Sequence, residues 1–436
     1  MSKQSSTSRK SLCLAAAAAF SVYFCMYAFR QPFTAAEFKD QEAFGYQLKA
    51  ILIISQLLGY MTSKVIGIKL VSELDRKYRA VALLILIGIA ECGLVLFAVV
   101  PNEIKVVALF LNGLPLGMVF GLVLSYLEGR TTTEALAAIL CASFIMSSGV
   151  VKSIGRWLIK VQGIDEFLMP AITGILFLAP LLVSVWVLQK TPPPSSSDIE
   201  QRSERSAMTS NDRWTFFKAY WVGLSLLFTV YVSLTIMRSF RDHFGVEIWQ
   251  GLGVNDEPSV YAVSETIVMV IVTLLNAVAI LVRNNIHALR ITFLAMVLSF
   301  VLLVGITVSQ EQGFLSPLIF MVFSGIGLYI PYVAFHTTVF ERLIAASRLK
   351  GNLVFLMYIA DSIGYLGYIM LLAIRESLNL NPNKLGLFQN TLYLLAILSI
   401  ICLLIAWSYF KRAFSKEQQV EEAPADKNSY LAEELS

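Results

Sequence analysis

Apolar stretches of about twenty residues alternate with short polar connectors along almost the whole chain. Roughly twenty apolar residues in a helix cross the ~30 Å hydrocarbon core of a bilayer. On that basis the pattern predicts about twelve spans, near 12–31, 47–70, 80–100, 105–127, 135–159, 167–189, 215–240, 259–282, 289–309, 315–340, 351–374 and 385–410. One connector breaks the rhythm. From Thr191-Pro192-Pro193-Pro194-Ser195-Ser196-Ser197 to about Asp212 the chain is rich in proline, serine and charge, too polar to bury and too long for a tight turn. The expected organisation is an all-α polytopic membrane protein. It has a six-helix bundle over 1–190, a cytoplasmic disordered linker over 191–214, a second six-helix bundle over 215–410 and a cytoplasmic tail over 411–436.

The first apolar stretch, Leu12 to Phe20 behind Lys3, Arg9 and Lys10, offers small residues of the kind found at secretory cleavage sites. It nevertheless continues to Phe29, and its removal would leave an odd number of spans, so it is expected to remain as an uncleaved helix. Composition agrees with the pattern. The 436 residues are 57% hydrophobic and only 15% charged, with a mean hydropathy of +0.69, whereas a soluble domain carries about 25% charged residues.

Lys and Arg concentrate on the side that holds the N-terminus, the even-numbered loops and the C-terminal tail. The positive-inside rule makes that side cytoplasmic, and the expected location is the cell (inner) membrane. Trp186, Trp214, Trp221 and Trp407 fall near cytoplasmic span ends and Trp157 and Trp249 near the opposite ends, as interfacial indoles should. The net charge of +4 is thus orientation chemistry and does not point to nucleic acid. Cys13, Cys25, Cys92, Cys141 and Cys402 lie in apolar spans without metal-type spacing and read as small buried hydrophobes.

Charges inside the spans carry the functional signal. Tyr23 precedes Arg30 by seven residues in the first span, and Tyr231 precedes Arg238 by seven in the seventh, so each tyrosine and arginine share nearly one helix face. A guanidinium costs several kcal/mol in hydrocarbon and persists there for a partner or a water-filled cavity. By position alone Arg30 also fits a residue snorkelling at a helix end; repetition in both halves favours the cavity. Each arginine presents a planar fork that binds an oxyanion bidentately, and two forks on one cavity match a tetrahedral dianion. Arg241 lies closer to the outer end and pairs in expectation with Asp242 at the interface.

The halves correspond. An offset of 208 residues places Arg238 on Arg30 and Arg283 on Asp75, and brings Asp361 within one residue of the counterpart of Lys152. Parallel six-helix repeats with a site at their interface resemble the plan of the major facilitator superfamily. The stretch Gly67-Ile68-Lys69-Leu70-Val71-Ser72-Glu73-Leu74-Asp75-Arg76-Lys77-Tyr78-Arg79 is similar to that superfamily's Gly-x-x-x-Asp-Arg loop at Asp75, Arg76 and Arg79. It departs in the longer gap from Gly67 and in Tyr78, and is equally readable as a solvated basic turn.

Within the superfamily the residues resemble the organophosphate:phosphate antiporters. Tyr27-Ala28-Phe29-Arg30-Gln31-Pro32-Phe33 is similar to that group's Tyr-Leu-Val-Arg-Lys-Asn-Phe, and Tyr60-Met61-Thr62-Ser63-Lys64 to its Tyr-Gly-Phe-Ser-Lys. Arg238-Ser239-Phe240-Arg241-Asp242 looks like its Arg-Ile-Gly-Ile-Asp, and Leu328-Tyr329-Ile330-Pro331 and Ile359-Ala360-Asp361-Ser362 have similar counterparts. The resemblance implies a secondary active transporter of a small anionic metabolite, phosphorylated metabolites included, with Arg30 and Arg238 holding the anion. The group's fifth-helix histidine is missing, with Ser143 or Phe144 at its place, and Tyr365 stands where hexose-phosphate carriers have lysine. No particular sugar phosphate is therefore implied.

Lys64 is harder to place, because counting from the first turn puts it ~12 Å from the depth of Arg30 at 1.5 Å per residue. It fits contact with the anion and service in a neighbouring ion pair equally well. In the superfamily's arrangement, helix five faces helix eight and helix two faces helix eleven. Lys152 with Glu265 in the outer half, and Lys64 with Asp361 nearer the inner half, are therefore expected as gate pairs. The competing expectation satisfies each charge within its own bundle. Glu91 is expected at a polar patch inside its bundle. His336 reads as a satisfied structural histidine ahead of a proton relay. Gly113, Pro115, Gly117 and Gly121 in span four, and Gly325, Gly327 and Pro331 in span ten, suit helices that approach closely and bend.

No metal-type cluster, nucleotide loop or placed nucleophile is present in the sequence, so neither an enzyme nor a cofactor is expected. The expected partners are a small anionic metabolite and the lipid bilayer, with the chain a monomer. A proton-coupled symporter of another organic anion, with Asp361 or Glu265 titrating, and a non-transporting sensor of the same fold stand as alternatives.

Reporter fusions to either terminus or within 190–214 should read cytoplasmic. An extracytoplasmic signal from either end would reverse the assignment of every loop.

Overall fold

The computed structural model describes residues 2–127, 133–191, 210–255, 257–280, 282, 284–347, 353–378 and 383–422. Most of the expected linker, the tail beyond residue 422, Arg283 and the side chain of Cys13 lie outside what is described. In hydrocarbon every backbone N–H and C=O must be satisfied within the segment, and the long apolar stretches accordingly form helices. These are α1 (Ser2–Arg30), α2 (Leu48–Glu73), α3 (Arg76–Val99), α4 (Asn102–Leu127), α5 (Thr133–Lys160) and α6 (Met169–Gln189), then α7 (Ser210–His243), α8 (Ser259–Ile280) and α9 (Asn285–Glu311), with α10 starting at Pro317 and followed by α11 (Leu353–Ser377) and α12 (Lys384–Glu422). Ten described helices are long and apolar enough to cross a membrane; the described apolar part of α1 is the shorter Leu14–Arg30, and α2 carries Lys49 and Lys64.

Exposed Ile85, Ile89, Val183, Leu294, Leu298 and Ile401 give the outer surface an apolar character suited to lipid. Cys92 is on that exposed surface rather than buried, while Cys25, Cys141 and Cys402 are buried as expected.

Small residues set the closest helix approaches. A Cβ on Gly113 of α4 would overlap the Gln56 carbonyl of α2, and one on Gly117 would reach the Tyr60 carbonyl at 2.5 Å. Without a hydrophobic driving force between helices in lipid, such close backbone contact supplies the packing. Gly149 does the same between halves: a Cβ there would lie 2.7 Å from Glu265 Cβ, so α5 lies directly on α8. Ser153 Oγ adds a bond across this seam, accepting from the Ala262 N–H at 2.9 Å.

Helix α10 is not regular. After Pro331 the α-helix Pro317–Ala334 gives way to a π turn over Phe335–Val339, and α-helix resumes at Phe340–Ser347. Proline lacks an N–H and crowds the preceding turn, and the wider π turn re-aims the side chains around His336, a device common at functional sites.

The connection from α1 to α2 folds back into the protein. A 3-10 turn, Pro32–Ala35, is fully buried, and a two-strand hairpin follows. Its strands β1 (Glu42–Ala43) and β2 (Tyr46–Gln47) are joined through Phe44 and Gly45, both at positive φ as a two-residue hairpin turn requires. This end of the molecule, expected to be extracytoplasmic, is bridged between halves by a polar network. Lys49 Nζ donates to the carbonyls of Thr34 (3.1 Å) and Ala36 (2.8 Å) and to Glu247 Oε1 (2.6 Å), on the short helix Gly245–Gly251. Glu37 accepts from Arg156 Nη1 of α5 (2.9 Å) and from Gln250 Nε2 (2.8 Å), and pairs with Lys39 at 3.0 Å.

Burial would push the Glu37 carboxyl up, but hydrogen bonds from Lys39, Gln250 and Arg156 outweigh it and hold it at about 2. An unfolded glutamate titrates near ~4.3. The stabilisation from Glu37 is therefore fully present above that value and lost as pH falls toward about 2. Glu37→Gln should lower the thermal midpoint of the detergent-solubilised protein at neutral pH, with the gap to wild type closing as the pH falls toward about 3. An unchanged gap would show that the network does not stabilise this end.

Candidate functional site

Near the middle of the molecule, where the two halves meet, a cavity of about 40 Å³ is lined by side chains from seven helices. Helix α1 contributes Tyr23, Tyr27 and Arg30, α2 contributes Tyr60 and Lys64, and α7 contributes Arg238. Tyr332 and His336 reach it from α10 and Asp361 and Tyr365 from α11, with Phe120 and Phe144 as apolar wall. The two arginines expected to share a cavity do so.

Their surroundings are aromatic. The Arg30 guanidinium lies 4.1 Å from the Tyr60 ring centre and 5.6 Å from that of Tyr27, and the Arg238 guanidinium 4.4 Å from that of Tyr332. A cation over an aromatic face gains about 0.5–2 kcal/mol, far less than an ion pair would supply in so buried a place. Arg30 is 5% and Arg238 6% exposed, yet among the described residues neither has a carboxylate within 4.0 Å, and Arg238 Nε has no hydrogen-bond partner. Lys64 differs, because it is paired with Asp361 across the two halves. Three cations against one carboxylate leave the cavity with an excess of positive charge.

Lys64 lines the cavity with Arg30 and forms the ion pair considered for it, with Asp361. The Arg30 carbonyl accepts from Gln56 Nε2 of α2, about two turns before Lys64, so the depth offset counted along the sequence persists in the backbone and the long side chains bridge it. Tyr60 spans the remaining interval, with Lys64 Nζ 5.2 Å from its ring centre.

Tyr231 does not line the cavity as expected. Its hydroxyl donates to Asp361, and its ring packs on Tyr332 and Phe335 at 5.7 and 5.2 Å, so it orients the carboxylate behind the cavity wall. His336 lines the cavity while Nδ1 is 2.9 Å from the Tyr332 carbonyl, the neighbour one turn back.

The expected ion pair between Lys152 and Glu265 is replaced by two others. Lys152 Nζ reaches Asp242 of α7, at 2.6 Å from its carbonyl and 3.1 Å from Oδ1, and so does cross between halves. Glu265 is held by Arg241 Nη1 at 2.7 Å, within its own half, and Arg241 also donates to Ser324 and to the Met321 carbonyl. Arg241 and Asp242 are consequently not an interfacial pair. The end of α7 is buried beneath the short helix Gly245–Gly251, which counting residues from the span end could not reveal.

Glu91 faces no polar patch. It packs against Gly174 of α6, and neither of its oxygens has a hydrogen-bond partner among the described residues. The loop motif is a brace remote from the cavity. Arg79 Nη1 donates to the Ser125 carbonyl at 2.9 Å and Arg76 to that of Thr191, tying the α2–α3 turn to the ends of α4 and α6. Asp75 forms an exposed pair with Lys77 at 3.7 Å.

At the position of the missing histidine, Phe144 is in the cavity wall, whereas Ser143 Oγ donates to the Leu140 carbonyl of its own helix. Tyr27, Tyr332 and Tyr365 were not singled out as site residues by sequence reasoning. A signal was available, because Tyr23 and Tyr27, Tyr60 and Lys64, Tyr332 and His336, and Asp361 and Tyr365 are each four residues apart inside apolar spans. That spacing stacks two side chains on one helix face.

The helices share the fold of several solved membrane proteins. The chain is similar in structure to a mutant of the nucleoside transporter NupG, with a TM-score of 0.59, 13% identity, and 92% of this chain and 100% of that chain covered. A D-xylose-proton symporter gives 0.58, 14%, 91% and 96%. A POT family transporter in complex with 5-aminolevulinic acid gives 0.58, 14%, 93% and 96%. By sequence the chain belongs to DUF5690, a family of unknown function whose model matches residues 32–413. No curated protein matches it in sequence.

Removing one partner of a buried pair strands the other charge at a cost of about 3–5 kcal/mol. Lys152→Ala should therefore markedly lower the thermal midpoint. Exchanging the pair, Lys152→Asp with Asp242→Lys, should recover part of it, while a swap with Glu265 should recover none. A double-mutant cycle on purified protein measures both couplings, and rescue by the Glu265 swap alone would refute the assignment.

Proposed function

We propose that this protein is a secondary transporter that moves a small anionic metabolite through the membrane by alternating access, with the central cavity as its substrate site. One observation carries the reading: two buried guanidiniums face one cavity with no carboxylate of their own among the described residues. A charge left this way inside a membrane protein is costly unless a ligand completes it, and paired forks complement a phosphate or carboxylate group. A phosphorylated metabolite is the favoured substrate, because a tetrahedral dianion answers both forks at once, and exchange for inorganic phosphate is the favoured mode.

In this reading the two six-helix halves, 1–190 and 215–410, rock about the cavity in a monomer seated in the inner membrane. The polar network around Glu37 and Lys49 seals one side. On the other side of the exchange, anion binding competes with Asp361 for Lys64, which weakens a cross-half bond when substrate arrives. A second reading, proton-coupled symport, is favoured by Asp361 and His336 lying in the same cavity as the arginines.

Proteoliposomes loaded with inorganic phosphate should take up labelled organophosphate. Arg30→Lys and Arg238→Lys should each reduce uptake by about tenfold or more, since an ammonium cannot reproduce the bidentate fork. Uptake that requires a pH gradient instead of internal phosphate would select symport. Tight substrate binding without uptake would mark a sensor, and wild-type uptake by both lysine variants would move the anion site elsewhere.

A further inference from the structure

A second cavity, unrelated to the central one, opens where α9 begins and the apolar part of α12 ends. It measures about 230 Å³. His287 and Arg290 of α9 and Lys411 of α12 line it on the exposed side, and the interior is aromatic, with Phe293, Trp407 and Phe410. Among the described residues that line it, none is acidic.

Its place in the membrane follows from its helices. The apolar spans run Asn285–Glu311 and Lys384–Phe414, so the basic residues stand at the rim of the hydrocarbon region. Phe293 lies about one turn deeper than Arg290, and Trp407 about one turn deeper than Lys411, ~5 Å along the helix axis. Phe293 and Trp407 are in contact, with ring centres 5.8 Å apart, and Phe293 and Phe410 are buried. The cavity is thus basic at headgroup level and apolar at the level where acyl chains start.

We propose that this cavity is a binding site for one anionic phospholipid, with the lipid phosphate against Arg290, His287 and Lys411 and the first part of an acyl chain on Phe293, Trp407 and Phe410. A soluble anion would use the basic rim and leave the aromatic interior without a role. A zwitterionic lipid would use the interior but would bring a cationic amine to a rim lined by His287, Arg290 and Lys411. Basic pockets between spanning helices suit anionic headgroups, and each basic residue near the surface contributes about tenfold or less to such binding. The site is separate from the substrate cavity, so the proposal does not depend on the transport reading.

Native mass spectrometry of the full chain, released from detergent with added phosphatidylglycerol, provides the test. Wild type should retain one tightly bound phosphatidylglycerol and not phosphatidylcholine. Arg290→Gln should weaken retention by about fivefold to tenfold and Arg290→Glu by more, while Arg290→Lys should keep most of it. Arg290 is exposed, so these variants should fold, and an unchanged thermal midpoint in lipid-free detergent checks that. Equal retention of the two lipids, or equal retention of phosphatidylglycerol by wild type and Arg290→Glu, would overturn the proposal. Displacement of the lipid by millimolar inorganic phosphate would also overturn it, in favour of a soluble-anion site.

Discussion

The cost of holding a charge away from water governs how this protein is built. In a medium where an isolated guanidinium or carboxylate is unfavourable by several kcal/mol, each buried ionic group must find a partner on another helix or face a cavity. Lys49 finds Glu247, Lys152 finds Asp242, Arg241 finds Glu265 and Lys64 finds Asp361. Three of these four join the first half of the chain to the second. The pairs therefore do more than neutralise charge, because they fix how the halves meet.

Arg30 and Arg238 take the second course. They come from the equivalent helices of the two halves, point into one cavity and rest on tyrosine faces. A tyrosine ring stabilises a cation without cancelling its charge, so the positive potential of the cavity survives in the absence of ligand. The hydroxyls of the same rings are donors that an oxyanion can use. Tyr231 has a different duty, since it holds Asp361 in the orientation in which Lys64 can reach it.

Packing makes these electrostatics possible. Close approach of α2 to α4 through Gly113 and Gly117 accompanies the Gln56–Asn112 bond and the bonds from both side chains to the end of α1, and Gly149 lets α5 lie on α8. Tyr332, in the last turn of the Pro317–Ala334 helix, and His336, in the π turn after it, both reach the cavity. A side chain larger than hydrogen at these glycines would separate helices whose charges depend on being within hydrogen-bond reach.

The sequence by itself determined the elements that depend on local chemistry. Apolar runs of bilayer length dictated the helices, and the repeated Tyr-x6-Arg motif marked the two arginines as a pair facing one cavity. Lys64 with Asp361 was legible only through the resemblance, which implies that helix two faces helix eleven. Partner choice elsewhere belonged to the tertiary structure. Lys152 had two carboxylates within plausible depth, and only the burial of the α7 end beneath the Gly245–Gly251 helix gave it Asp242 and left Glu265 to Arg241. Likewise Tyr231, expected at the cavity beside Arg238, is instead drawn to Asp361 of α11. The physical reason is common to both cases. Hydropathy is a property of single segments, whereas an ion pair is decided by angstrom-scale distances between segments far apart in the chain.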